Sequence, residues 1–268
     1  MDYRSISVSE RAGLLTVRLN REDARNSFDV TLIEELTHVA RAYRSSTDVH
    51  AIILRGGDRF FSAGADLTTV QRFHRQEGGP APDLAALRQA AKAGPDMCQA
   101  WEELQPITIA AVEGACIGAG AALVLACDFR ILGRSARLAF PEVPLGINLS
   151  WQTIPRLTAL IGPARTKEAV IFGSDLTSDQ LLAWGGANVC TADGEAAAHA
   201  QDMANRIKSL PPLPVRMTKE AVNAVSGGLN AASSSMDSDQ FLLTAMSEDF
   251  KEGVAAFLEK RQPVFKGR

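Results

Sequence analysis

The chain has 268 residues, 28 Lys and Arg against 31 Asp and Glu, and a formal net charge of −3. That length buries about three quarters of the unfolded surface, as one large domain or one domain with an appendage, and needs no covalent staples. A near balance of charge with no dense basic run argues against nucleic acid or an anionic membrane as the main partner, and leaves a small molecule.

Met1 is followed by Asp2 and Arg4 rather than by a basic segment and an apolar run, so neither export nor membrane insertion is expected. Ile6-Ser7-Val8 and Leu15-Thr16-Val17-Arg18-Leu19 alternate with period two around Arg11-Ala12-Gly13, which predicts a hairpin. After a loop over 20–27, Asp29 can cap a helix in which Leu32, Ile33, Leu36, Val39, Ala40 and Tyr43 follow helical spacing. Ala51–Arg55 reads as a strand and leads into Phe61-Ser62-Ala63-Gly64-Ala65-Asp66-Leu67. Residues 67–104 are charged and Ala-rich with a break at Gly78-Gly79-Pro80-Ala81-Pro82, which predicts two helices split by a mobile loop.

Ile107–Val112 is a β-branched, apolar run of buried-strand type, Glu113-Gly114 a turn, and Gly118-Ala119-Gly120 opens an apolar segment long enough for a buried helix. Two short strands follow, over 129–132 and 137–140, and then Phe140-Pro141-Glu142-Val143-Pro144-Leu145-Gly146. Gly162-Pro163 starts a helix through Phe172, and Thr177-Ser178 caps another that reaches Trp184 and ends at Gly185-Gly186. From Ala196 the pattern is helical, with a Ser-rich break over 226–235. The last helix, 248–260, carries Phe250, Val254, Phe257 and Leu258 on one face and a basic end before Pro263.

The central stretch, 107–128, holds almost no side chain able to do chemistry, so its chemistry belongs to the backbone. A strand feeding a small-residue turn into a helix start leaves N–H groups without internal partners, open to close approach by a ligand oxygen. That is an anion or oxyanion site; tight packing of a buried helix is the alternative for the same small residues. Glu142 is the one carboxylate in the apolar stretch 138–149. It is either a Glu with its head group in solvent or a partly desolvated base with its pKa raised toward neutrality.

Taken together and in order, the Ala-Gly-Ala-Asp segment 63–66, the Gly-Ala-Gly turn 118–120 and the Pro-Glu pair 141–142 resemble the crotonase superfamily, the enoyl-CoA hydratase and isomerase group. The resemblance runs from about residue 5 to the C-terminus. It implies an α/β fold, a crotonase-like spiral of ββα units over 1–195 with an α-helical C-terminal region over 196–268 for oligomerisation and active-site cover. It further implies a homotrimer or a dimer of trimers.

By the same resemblance, the backbone N–H groups of Ala65 and Ala119 form an oxyanion hole for a thioester and Glu142 is the acid or base. The family's usual residue at 119 is Gly; Ala keeps the N–H, and its methyl is harmless if φ is negative there. The hydratases of this group are similar to one another in carrying a second Glu three residues further on, where this chain has Ala122. Adding water needs one group to hold the water and one to deliver a proton, whereas moving a proton between carbons needs a single carboxylate, as in the family's Δ3,Δ2-enoyl-CoA isomerases. Dehalogenases and dienoyl-CoA isomerases place an Asp at about Ser150 and are disfavoured. The resemblance places the coenzyme A moiety of the substrate along Ala63, Asp66 and Leu67, with Ala24 and Arg25 on the pantetheine and phosphate side. Leu145, Asn148, Ser150, Trp151 and Gln152 line the acyl pocket, and Asn148 or Gln152 orients a water. Phe257 and Lys260 match residues that reach a neighbouring subunit's nucleotide; packing and helix-dipole complementation are the alternatives for that pair.

The four cysteines make no C-x-x-C pair, which suits a reducing cytoplasm, and the four histidines have no metal-ligand spacing, so neither a metal nor a prosthetic group is expected. The expected function is double-bond isomerisation of an enoyl-CoA thioester. The rivals are enoyl-CoA hydration and an acyl-CoA-binding protein that has lost catalysis.

Overall fold

Strands β1 (Ile6–Arg11) and β2 (Leu14–Leu19) pair antiparallel across a two-residue turn. Ala12 and Gly13 both take positive φ, 53° and 77°, the conformation whose twist matches that of the strands it joins. The structure is a computed structural model and describes residues 3–66, 83–227 and 230–268. β3 (Ala51–Arg55) joins β2 in parallel and pairs β5 (Ile107–Val112) in turn. β7 (Phe129–Gly133) and β10 (Val189–Thr191) complete a six-stranded sheet of order β1-β2-β3-β5-β7-β10.

Both faces of this sheet are covered, which is why its central strands read as continuous apolar runs. On one face Leu15, Val17, Ile52, Leu54, Ala110 and Val112 pack with Leu32, Leu36 and Val39 of α1 (Val30–Tyr43) and with Trp101 of α2 (Leu84–Glu102). On the other, Ile53, Ile109 and Ile131 meet Ala200 and Ala204 of α7 (Ala196–Lys208), spaced one turn apart so that the helix can lie close. Asp29 caps α1 as expected, accepting from the Leu32 N–H at 2.8 Å.

A second, four-stranded sheet stacks the short strands β4 (Phe60–Ser62), β6 (Ala115–Ile117), β8 (Arg137–Ala139) and β9 (Leu176–Thr177). Each of β3, β5 and β7 is thus followed by a strand of this smaller sheet, and β4, β6 and β8 run parallel, with a register shift between Phe60 and Ser62. The chain winds as a spiral of ββα units. Helices α3 (Ala119–Leu125), α4 (Thr153–Ile161), α5 (Pro163–Phe172) and α6 (Ser178–Trp184) follow, the last opened by a Thr177–Gln180 capping box and closed by Gly185 at φ 85°.

The helical C-terminal region holds α7, α8 (Pro212–Gly227), α9 (Asn230–Ala245) and α10 (Glu248–Glu259). The buried Lys219 ties α8 to the core, donating to Asp128 at 2.6 Å and to the Pro106 carbonyl at 3.1 Å. One expectation changes. The Ser-rich break is a helix from Asn230 onward, because intrinsic propensity is a weak prior where tertiary contacts hold the chain. Of the two helices expected over 67–104, the second is α2, one run through Pro95; Leu67 and the first lie outside the described residues. Among the described residues no helix is long and apolar enough to cross a membrane, and no cluster of His, Cys, Asp or Glu suits a metal.

Candidate active site

The turn between β6 and α3 places Gly118 at φ 46°, ψ −110°, a region open in practice to glycine alone. Its N–H donates to the Ala139 carbonyl at 2.8 Å and its carbonyl accepts from Ala122 at 2.9 Å. Because Gly118 takes the positive φ of the turn, Ala119 starts the helix with ordinary φ, and its methyl is accommodated. Ala119 is buried, and its N–H has no hydrogen-bond partner among the described residues.

A second N–H comes from the strand after β4. Phe28 forms a parallel bridge with Ala65: the Phe28 N–H donates to Gly64 O at 2.8 Å and the Asp66 N–H to Phe28 O at 2.9 Å. Both bonds use the neighbours of Ala65, so its own N–H faces the other way and has no partner among the described residues. Ser62 locks the segment by donating to Asn26 O at 2.8 Å and accepting from the Gly64 N–H at 3.1 Å. Two contacts bring the donor segments together: a Cβ on Gly64 would lie 3.2 Å from Ile117 O, and one on Gly120 would lie 2.6 Å from Ser62 Cβ.

Glu142 stands at the head of a short 3₁₀ turn, Val143–Leu145, closed by Gly146 at φ 79°. A Cβ on Gly118 would lie 2.6 Å from Glu142 Oε1, so the carboxylate rests against the residue before Ala119. Its Oε2 is buried with no hydrogen-bond partner. Burial pushes the carboxyl from its ordinary 4.5 up to about 7, partly offset by the residue's own backbone N–H. The turn is braced from below by α10: the Gly253 Cα packs on the Leu145 carbonyl and Gly146 on the Asp249 carbonyl.

A raised carboxyl pKa destabilises the fold as pH rises. Below 4.5 the group is neutral folded or unfolded; between 4.5 and about 7 the unfolded chain gives up the proton first, so stability falls across that window and levels off above it. Each tenfold change in proton affinity is worth about 1.4 kcal/mol. Glu142→Gln is therefore expected to be more stable than the native chain by about 3 kcal/mol near pH 8 and no different near pH 4, read by denaturant melts at both. Equal stability at both would show that the carboxylate is solvated.

The expected acyl-side residues are only partly free. Ser150 does not offer its hydroxyl to a ligand: it is buried and donates to Asp237 Oδ2 at 2.8 Å. Gln152 Oε1 accepts from Arg156 at 3.0 Å, and the residue lines a cavity of about 620 Å³ between the end of α1, α2 and α8 whose lining includes neither Glu142 nor Ala119. Asn148 Nδ2 donates to Gln240 Oε1 at 3.3 Å. Trp151 lies edge-on to Phe28, ring centroids 5.7 Å apart. Asp237 was not anticipated: burial raises its pKa against the bonds it accepts from Ser150 and Gln152, and nothing in the Ser-rich stretch around it marks it out.

Ala24, Arg25, Ala63 and Asp66 share one edge. Arg25 O accepts from the Ala63 N–H at 2.9 Å, the Arg25 guanidinium lies 5.7 Å over the Phe60 ring, and Asp66 stands 3.8 Å from Arg21. Leu67, the remaining member, lies outside the described residues. Phe257 is 63% exposed on α10, and Lys260 is exposed at its left-handed C-cap.

Comparison with known proteins gives the family and the fold. A family model described as enoyl-CoA hydratase/isomerase matches residues 9–268. The 2,3-dehydroadipyl-CoA hydratase of Escherichia coli is 31% identical over 264 residues, covering 97% of this chain and 98% of that protein. The crotonyl-CoA hydratase of Syntrophomonas wolfei is 30% identical over 266 residues and 99% of each chain. The crystal structure of an enoyl-CoA hydratase from Mycobacterium avium subsp. paratuberculosis superposes with a TM-score of 0.86 at 22% identity, over 99% of this chain and all of that one, and shows the shared fold.

Proposed function

The chain belongs to the enoyl-CoA hydratase/isomerase family and is an enzyme of the crotonase type, and from that premise we propose that it moves a double bond in an enoyl-CoA thioester by proton transfer through Glu142. The observation that carries this reading is the Glu142 carboxyl, its Oε2 buried and without a hydrogen-bond partner, set against the turn that presents the Ala119 N–H.

The thioester oxygen is held by the Ala65 and Ala119 N–H groups. Glu142, ionised, takes the α-proton of a 3-enoyl thioester; the electron pair moves into the carbonyl, and the two N–H groups stabilise the resulting dienolate oxygen. Glu142 then returns the proton at the γ-carbon, leaving the 2-enoyl thioester and an ionised carboxylate. A group with pKa near 7 suits both directions of transfer. Coenzyme A enters as part of the substrate, and the edge formed by Ala24, Arg25, Ala63 and Asp66 supports its placement there. The neighbouring-subunit role of Phe257 and Lys260, in a trimer or dimer of trimers, belongs to the same proposal.

Hydration is the second reading, favoured by the hydratase names of the two relatives. The residue that separates the readings is Ala122, 1% exposed and one turn after Gly118, with its N–H bonded to the Gly118 carbonyl. Helical side chains lean toward the helix N-terminus, so a carboxylate at 122 would reach back over the turn that holds Ala119. Isomerisation of 3-enoyl-CoA is expected to exceed hydration of 2-enoyl-CoA in the native protein, and Ala122→Glu to raise hydration selectively. Because an unpaired buried acid is costly, a thermal melt accompanies the assay. A native enzyme that hydrates faster than it isomerises would establish the hydratase reading.

A further inference from the structure

Two consecutive residues with full side chains, Trp151 and Gln152, take left-handed φ of 64° and 55°. For a bulky aromatic that is an outlier, and it persists only where the surroundings over-determine it. Here they do so from two sides. Asp237, 7% exposed on α9, accepts the Ser150 hydroxyl at 2.8 Å and the Gln152 N–H at 3.2 Å. Arg156, 5% exposed on α4, donates to Trp151 O at 2.9 Å and Gln152 O at 3.3 Å, and is itself held by Glu102 of α2 at 2.7 Å. The acid takes the N–H side of the turn and the guanidinium its carbonyl side.

What this clamp holds is the Trp151 indole. A Cβ on Gly94 would lie 2.0 Å from Trp151 Cε2, so α2 has room for the ring only because position 94 has no side chain. The opposite neighbour is Phe28, whose backbone makes both bonds that orient the Ala65 strand. We propose that Asp237 is a positioning residue: from the C-terminal helical region it fixes Trp151 as a wall of the acyl-binding side of the site, and so sets how acyl chains are accommodated. The acyl assignment rests on the acyl-CoA reading above; the clamp itself rests on geometry.

The test is a double-mutant cycle of Asp237→Ala and Trp151→Ala, with Asp237→Asn, which keeps an acceptor oxygen, as the conservative variant. KM and kcat are measured on enoyl-CoA thioesters from short to long chain, and Kd on the corresponding saturated acyl-CoA thioesters. Asp237→Ala is expected to shift the chain-length dependence of KM and Kd, by roughly ten- to a hundredfold at the most affected length, while kcat changes little. The double variant should behave as Trp151→Ala alone, because both changes remove the same wall. Asp237→Asn should restore most of the native profile, and it keeps the test decisive if the Ala variant does not fold. Additive effects, or an unshifted profile in a folded Asp237 variant, overturn the proposal. A native protein that binds acyl-CoA without turning over any enoyl-CoA fails the functional reading while the Kd cycle still decides the clamp. One that binds no acyl-CoA overturns both.

Discussion

Glu142→Gln is expected to lower kcat for 3-enoyl-CoA isomerisation by at least about two orders of magnitude while leaving acyl-CoA binding near native, since a positioned acid or base contributes about 10²–10⁴. The substitution keeps the size of the side chain and its place against Gly118, and removes its ability to take a proton. The same group predicts the shape of the pH profile. A base works ionised, and burial holds the Glu142 carboxyl at about 7, so native kcat should rise through a single ionisation near 7 and level off above it. The residual rate of the Gln variant should lose that limb. An unchanged kcat, or a Gln variant that keeps the ionisation, would falsify the assignment of Glu142 as the base.

Legibility in the sequence followed how local the cause was. The Asp29 cap, the helix start at Thr177-Ser178 and the Ala12-Gly13 turn depend on residues within a few positions of each other, and each stands where the residues predict it. The six-stranded sheet was partly readable because β3 and β5 are buried on both faces and are therefore apolar apart from Arg55 and Thr108. The second sheet was not: β4, β6 and β9 are two or three residues long, too short to carry a period-two signal, and their pairing is set by the winding of the spiral. At the site, the small residues 118–120 announced close backbone approach, and 63–66 were marked only by the family resemblance. What they approach, Ile117 O for Gly64, Ser62 for Gly120 and Glu142 for Gly118, is tertiary information. The acyl side was least legible. Ser150 reads as a pocket hydroxyl until Asp237, 87 positions away, accepts its hydrogen bond, and the left-handed Trp151 and Gln152 have no local glycine or asparagine signature.

Ala119→Pro is expected to lower turnover by about 10²–10³, the effect of removing one oxyanion donor, worth about 2.7 to 4 kcal/mol of barrier. Position 119 allows an N–H to be deleted at little cost to the helix, the proline ring taking the place of the donor hydrogen. It is the first residue of α3, where proline is favoured because its fixed φ suits the helix and its missing N–H has no helical acceptor to lose. The Ala119 N–H satisfies nothing else among the described residues, and the neighbouring Ala122 to Gly118 bond is untouched. Folding, checked by melt, should therefore survive, and so should the ionisation of Glu142, whose environment is set by burial rather than by residue 119. Ala119→Gly separates donor from side chain: it keeps the N–H, loses only the methyl and up to about 1 kcal/mol of helix propensity, and should turn over within a few-fold of native. A proline variant as active as the native chain would put the thioester oxygen elsewhere. A glycine variant as inactive as the proline one would show that the methyl packing, not the N–H, is what position 119 contributes.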